Sequence, residues 1–264
     1  MRLLTLNTHS LMESDYPSKI EELADAIKQY KPSIIALQEV MQPKEAKRAE
    51  ISSDFVSVGQ IPLKEGNYLI FLYNELIKRS LQYQYIWLGI KRAYDIFDEG
   101  VAILTLTPVS RTKAITLSQI DNYDDWKTRK ALGVEVGNSW YFSVHLGFWD
   151  DYGVFQKTEI LSLKKSTENM NKLWLLGDFN APADERNKGY DMLTRYWHDS
   201  YFLAKNKDSG NTVKGKIDGW DDKDDKRIDF IFTNEMVDVQ SSQTIFNGTH
   251  RKIISDHYGI LLTI

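Results

Sequence analysis

The chain has 264 residues, 42% of them hydrophobic and 27% charged, with a formal net charge of -4 and no cysteine. That is enough apolar material for a large core, and no tract rich in Pro, Gly or Ser divides it, so a single domain over 1–264 is expected. The missing cysteine excludes disulfides, thiolate nucleophiles and cysteine-ligated zinc, and the acidic balance shows no basic nucleic-acid footprint.

Arg2 precedes only the short apolar run Leu3 to Leu6, which does not read as a signal peptide. No stretch is long and apolar enough to span a bilayer, so a cytoplasmic protein without membrane contact is expected. No obligate protein partner is evident.

Met1 to Leu6 predicts a strand that ends at Asn7. Ile20, Leu23, Ala24 and Ile27 recur at helical spacing. Pro17 suits a first turn and Pro32 a stop, so Pro17 to Tyr30 predicts a helix. Ile34 to Leu37 reads as a buried strand ending at Gln38 and Glu39, and this β-α-β opening favours parallel pairing.

Met41 to Gly66 is polar and irregular and predicts a loop-rich excursion. Leu69, Leu72, Tyr73 and Leu76 form one face of a second helix, Tyr68 to Lys78. Strand-like runs follow at Tyr83 to Ile90, Gly100 to Leu106, Val109 to Leu117, Lys130 to Val136 and Ser139 to Leu146. Turn signals at Thr107-Pro108 and Gly137-Asn138 suggest antiparallel hairpins among them.

Val154 to Asn169 predicts a third helix and Lys172 to Leu176 a strand, with a loop-rich region from Ala181 to Lys226. Arg227 to Phe232, Val237 to Phe246 and Tyr258 to Ile264 complete the strands. Many strands with helices outside them predict an α/β fold, a four-layer α/β/β/α sandwich.

The apolar strands repeatedly end in, or contain, one charged or amide residue: Asn7, Glu39, His145, Asp178 with Asn180, Asp229, and Asp256 with His257. Burying such a group unpaired costs about 2–7 kcal/mol when neutral and more when charged. Any one of them could be a satisfied core residue or a turn residue. So many on separate segments suggest that they satisfy one another, or a metal, where strand ends meet and loops build sites.

Carboxylates and amides are hard oxygen donors suited to magnesium or manganese, and there is no His-Glu-x-x-His zinc helix. Acids, Asn and His together can neutralise a phosphate ester, deprotonate a water and stabilise a leaving oxygen. Asp178 and Asn180 are two apart, so an extended backbone aims both at one face. Asp229 could pair with Arg227 or Lys226, and beside an imidazole it would raise that ring's pKa and fix its tautomer.

In this order the segments resemble the endonuclease/exonuclease/phosphatase superfamily and its DNase I-like fold, over nearly the whole chain. They are Leu-Asn7, Leu-Gln-Glu39-Val, Glu99-Gly-Val-Ala-Ile-Leu, His145-Leu, Gly-Asp178-Phe-Asn180, Arg-Ile-Asp229-Phe-Ile and Ser-Asp256-His257. The resemblance implies hydrolysis of a phosphoric ester by in-line attack of an activated water. It implies Asn7, Glu39 and Asp256 at a Mg2+ or Mn2+ ion, with Glu39 the principal ligand.

By the same resemblance Asp178 orients or deprotonates the water and Asn180 holds it or a phosphate oxygen. His257 contacts the phosphate with its ring oriented by Asp229, and His145 is a second histidine partnered by Glu99. Arg129 either contacts phosphate or is a solvated strand-edge charge.

A narrower resemblance is to bacterial maltose 6'-phosphate phosphatases. It rests on Leu-Asn-Thr-His9-Ser, Asp98-Glu-Gly-Val-Ala-Ile-Leu, Trp126-Lys-Thr-Arg-Lys and His145-Leu-Gly-Phe-Trp149-Asp-Asp151. It implies a small sugar phosphate as substrate. The alternative is a nuclease or a sphingomyelinase-like lipid phosphodiesterase on the same scaffold.

Trp126, Trp149 and Trp220 fall in or beside expected rim loops, where aromatic faces can stack on a sugar, and Trp149 is the expected sugar contact. Asp221, Asp222, Asp224 and Asp225 would repel DNA if they stood at the mouth, so nucleic acid is not expected as a partner. His9, His198 and His250 read as structural or surface residues.

Overall fold

The computed structural model describes residues 1–149, 154–216 and 225–264. Its strands are β1 (Arg2–Asn7), β2 (Ile34–Pro43), β3 (Gln84–Ala93), β4 (Phe97–Thr105), β5 (Arg111–Thr116), β6 (Lys130–Val136) and β7 (Ser139–His145). They continue as β8 (Lys172–Asp178), β9 (His198–Asp199), β10 (Ala204–Lys207), β11 (Asp229–Thr233), β12 (Val239–Ile245) and β13 (Gly259–Thr263). The helices are α1 (Tyr16–Tyr30), α2 (Tyr68–Lys78), α3 (Val154–Thr167), α4 (Gly189–Leu193) and α5 (Ser200–Leu203).

One sheet runs β10-β12-β13-β1-β2-β4-β3 and the other β5-β6-β7-β8-β11-β9. Side chains alternate between the faces of a strand, and that period sorts the apolar residues into three layers. Leu4, Leu6, Ile35 and Leu37 face outward from the first sheet onto Leu23 and Ile27 of α1 and Leu69 and Leu72 of α2. Leu3, Ile34, Ala36 and Ile103 face inward, onto Leu132, Trp174, Leu176 and Ile231 of the second sheet. Phe142, Val144, Leu173, Leu175 and Phe232 cover its far side and meet Ile160 and Leu163 of α3.

The expected four layers are therefore present. Each fully buried Leu, Ile or Phe contributes about 1.5–3 kcal/mol by leaving water. No helix among the described residues is long and apolar enough to cross a membrane.

β1 and β2 are parallel, as the β-α-β opening suggested. β7 and β8 are parallel too, in a register that sets His145 beside Asp178. β11 runs antiparallel to β8 and sets Asp229 on the other side of Asp178. A fully buried Gln38 ties the sheets together beneath this row: its Nε2 donates to Ser143 Oγ at 3.0 Å, and Ser143 Oγ donates to Leu37 O at 3.0 Å.

Two sequence expectations are corrected. β2 does not stop before Glu39 but continues to Pro43, with its register against β4 shifting between Leu37 and Val40. Glu39 sits in that irregularity at φ 53, so a bulge aims its side chain out of the strand's regular alternation. The region Ala181 to Lys226, read as loop, contains α4, β9, α5 and β10. These elements have two to five residues each, too few to show a periodicity.

Gly177 precedes Asp178 with φ 149, and a Cβ there would meet Val144 O at 1.9 Å. Neither backbone can yield without breaking the β7–β8 ladder. Gly177→Ala is expected to lower stability by roughly 3 kcal/mol, the upper range for overpacking, read as an earlier urea midpoint.

Candidate active site

The C-terminal ends of β1, β7 and β8, the bulge in β2 and the start of β11 converge at one end of the sandwich. Asp178 lies at the centre. Its Oδ1 accepts the Asn180 backbone N–H at 2.8 Å and its Oδ2 accepts Asn7 Nδ2 at 3.1 Å. The same Oδ2 is 3.6 Å from His145 Nε2 and 3.8 Å from His257 Nε2. Burial first, and then the neighbouring Asp229, push its carboxyl up to about 7, against the opposing pull of His257, the Asn180 N–H and Asn7. A carboxylate held there is matched to accepting a proton near neutral pH.

The two histidines are driven in opposite directions. Burial alone would lower His257, but Asp229 and Asp178 outweigh it and hold the ring well above its usual range. His257 Nδ1 donates to Asp229 Oδ2 at 2.9 Å, the partnership expected from sequence. His145 is pushed well below its usual range by burial, then by Arg129, Lys91 and His257. The site thus pairs a charged imidazole with a neutral one.

Glu39 reaches the same centre from the other sheet. Its Oε1 accepts Asn7 Nδ2 at 2.9 Å and lies 3.9 Å from His145 Nε2. Burial, then Glu99 and Asp256, raise its carboxyl. Asp256 lies 3.9 Å from His9 Nδ1, and Ser255 Oγ donates to Asn7 O at 2.8 Å, fastening this loop to the end of β1.

Asn7 itself turns its nitrogen toward both carboxylates. Its Nδ2 thereby holds Glu39 and Asp178 in place, while its Oδ1, the atom an amide offers to a cation, accepts the His9 N–H at 3.2 Å. Asn180 adopts φ 46, so a turn, not an extended strand, sets it beside Asp178. Its Nδ2 donates to Leu146 O at 2.9 Å.

Glu99 is corrected as well. Its ion pair is with Lys91 Nζ at 3.3 Å, not with His145, because β3 and β4 set Lys91 directly opposite it. Lys91 Nζ also donates to Trp126 O at 3.1 Å. Arg129 is buried just before β6, and its Nε has no hydrogen-bond partner among the described residues.

These groups open into one cavity of about 380 Å³. Glu39, Lys91, Glu99, Arg129, His145, Asp178, Asn180, Asp256 and His257 all line it, so sequence-predicted residues from far-apart segments do converge. Asn7 and Asp229 stand behind that lining and brace it. The aromatic lining differs from expectation: Trp126, Tyr94 and Phe148 form it, and Trp149 is not among the lining residues. Trp220, Asp221, Asp222 and Asp224 lie outside the described residues.

His9, read as structural, lines the cavity too. Its hydrogen bond with Glu13, 2.9 Å long, raises it to about 9 against burial, helped by Asp256 and Glu39. The signal was a carboxylate four residues on, carried on the far side of a short 3-10 turn at Ser10–Met12.

The donor set fits a hard cation. Glu39 and Asp256 present carboxylate oxygen to the cavity beside Asp178, and their mutual repulsion leaves negative charge to be neutralised. One ligand atom each from Asp178, Asp229 and His257 also lie within 4.8 Å of one another, a grouping able to hold a metal ion.

Comparison with known families now adds to this geometry. The model described as the Endonuclease/Exonuclease/phosphatase family matches residues 4–257. The chain belongs to the endonuclease/exonuclease/phosphatase family. Comparison with curated proteins finds no match.

Among solved structures, an endonuclease/exonuclease/phosphatase family protein from Leptotrichia buccalis is 29% identical with a TM-score of 0.87, covering 100% of this chain and 99% of the other. A mannosyl-6-phosphatase from Bacteroides thetaiotaomicron is 14% identical with a TM-score of 0.67, covering 99% and 98%. A 3'-5' exonuclease from Neisseria meningitidis is 16% identical with a TM-score of 0.66, covering 100% and 99%. The last two likenesses establish a shared DNase I-like fold.

In this endonuclease/exonuclease/phosphatase family hydrolase, α3 supports the catalytic loops from behind. Gln156 Nε2 donates to Gly147 O at 2.6 Å and to Phe179 O and Asn180 O at 3.0 Å each, while Glu159 accepts Gly147 N–H at 2.7 Å. No motif announced either residue.

Proposed function

We propose that this chain, acting as one catalytic domain, is a metal-dependent phosphatase that removes phosphate from a sugar phosphate monoester, with maltose 6'-phosphate the first candidate. The observation that carries the reading is the cavity of about 380 Å³, which joins the acid and imidazole cluster to buried cations and an aromatic rim. Its volume suits one small ligand, and aromatic faces beside carboxylates suit a sugar. A mannosyl-6-phosphatase on the same fold supports the choice, and the segments shared with maltose 6'-phosphate phosphatases narrow it.

Glu39 and Asp256, with Asp178 at hand, would hold the Mg2+ or Mn2+. When bound, such an ion neutralises phosphate charge and stabilises the leaving oxygen. Asp178 takes a proton from the attacking water, and Asn7 and the Asn180 N–H keep its carboxylate aimed. His257, charged by its contact with Asp229, donates to a phosphoryl oxygen as negative charge develops. His145 stays neutral between the acids and the cations, and Asn180 orients water or phosphate at the turn.

A substrate panel tests the reading. Purified protein with magnesium is expected to release phosphate fastest from a sugar phosphate among maltose 6'-phosphate, other sugar phosphates, plasmid DNA and sphingomyelin. A chelator is expected to stop it. Faster turnover of DNA or sphingomyelin than of every sugar phosphate would overturn the substrate assignment in favour of a nuclease or lipid phosphodiesterase.

A further inference from the structure

Lys91 and Arg129 lie side by side in the cavity lining, 6% and 5% exposed. Burying two like charges together is costly unless counter-charge and hydrogen bonds compensate. Glu99, at 3.3 Å from Lys91, supplies one counter-charge. Glu39 and Glu159 are the other nearby acids: Glu39 favours the Lys91 charge, while Glu159 accepts the Gly147 N–H on Oε2 and is raised by burial against the pull of Arg129 and Lys91. Arg129 Nε remains a buried donor without an acceptor among the described residues.

Both cations act on the His145 ring, which is itself 3.6 Å from Asp178. They therefore border the reacting centre and not a remote surface. Burial, then Arg129, lowers the Lys91 ammonium, against the opposing pull of Glu99 and Glu39. An incoming anion would relieve both the repulsion and the orphaned donor.

We propose that Lys91 and Arg129 form a two-cation receptor for the doubly charged terminal phosphate, and that this receptor selects phosphomonoesters over phosphodiesters. The proposal rests on the reading above in taking the cavity as the place where a phosphate ester is held. A monoester carries close to two charges at neutral pH, whereas a diester carries one and replaces a terminal oxygen with a second ester oxygen. The planar guanidinium suits two oxygens at once, while the ammonium acts as a point charge on the remaining one. Lys91 also holds the Trp126 carbonyl, so the same side chain links the phosphate end of the cavity to its aromatic rim.

Lys91→Gln decides it, assayed with p-nitrophenyl phosphate and bis(p-nitrophenyl) phosphate under magnesium. The monoester-to-diester ratio of kcat/KM is expected to fall roughly 10- to 100-fold, the range for losing a charged hydrogen bond. Lys91→Arg is expected to restore most of the ratio. Calorimetric titration with inorganic phosphate is expected to show a matching loss of affinity in Lys91→Gln, a readout that needs no turnover. If Lys91→Gln does not fold, the Lys91→Gln/Glu99→Gln variant removes the charges as a pair and gives the same binding comparison.

Equal loss for both esters, or unchanged phosphate affinity, would overturn the receptor while leaving the phosphatase reading intact. A wild type that prefers the diester would sink both that reading and the selectivity assigned to the receptor, and phosphate titration would still decide whether Lys91 binds phosphate.

Discussion

Glu39→Gln is expected to abolish magnesium-supported phosphate release and, at the same time, to raise the melting temperature of the metal-free protein. The side chain is one-fifth exposed, and its carboxyl is raised above its ordinary 4.5 by burial, Glu99 and Asp256. A folded-state pKa above the unfolded one means that the charged form is penalised by folding. At pH 7 the native state carries that penalty, and it disappears as pH falls below about 4.5.

Glutamine keeps an oxygen to accept Asn7 Nδ2 and removes the charge. The gain appears at pH 7 as a higher unfolding midpoint for the variant and fades toward pH 4. Magnesium should raise the wild-type melting temperature by mass action and leave the variant unmoved. Thermal scans from pH 4 to 7.5, with magnesium or chelator, check both halves. A variant that still turns over, or still responds to magnesium, removes Glu39 from cation binding.

Asp178→Asn is expected to cut kcat about 10³-fold with little change in KM, the scale of losing a general base. The amide has one acceptor oxygen where Asp178 offers two, and both are in use: Oδ1 for the Asn180 N–H and Oδ2 for Asn7. One buried donor is left unpaired, at about 1–3 kcal/mol, while repulsion with Asp229 is relieved. The variant should therefore stay folded, and steady-state kinetics beside circular dichroism separates lost chemistry from lost structure. A fall in kcat of less than tenfold would assign the proton to another group.

Much of this site could be read from residue order because strand chemistry is local. An apolar run that gives way abruptly to Asp, Glu or His marks where a strand meets the site: His145 and Asp178 end β7 and β8, Asp229 opens β11, and Glu39 interrupts β2 at its bulge. The pairing of Asp229 with His257 came from the family resemblance, since charge alone allowed Arg227 or Lys226 as well. What stayed hidden depends on contacts across the fold. The direction of the Asn7 amide is set by two carboxylates on other strands. The partner of Glu99 is set by the β3–β4 register.

Lys91 drew no attention because a lysine in a strand is usually a solvated edge charge, and here the β4 side chains and the Arg129 segment enclose it. Phe148 took the rim place expected of Trp149, since adjacent residues in a loop point different ways and no periodicity tells which faces inward. The small elements between Ala181 and Lys226 hold through partners such as Arg227 with Asp199 at 2.6 Å, which sequence spacing does not encode.

The row formed by His145, Asp178 and Asp229 has a further consequence for how this molecule acquires activity. Three neighbouring strands contribute one member each, at matched positions in the ladder. A slip of one rung on any of them would carry its member to the opposite face of the sheet, into apolar surroundings. Turnover is thus a built-in proofreader of strand alignment: during refolding, a population with native-like secondary structure but a shifted rung would show ordinary circular dichroism and no catalysis.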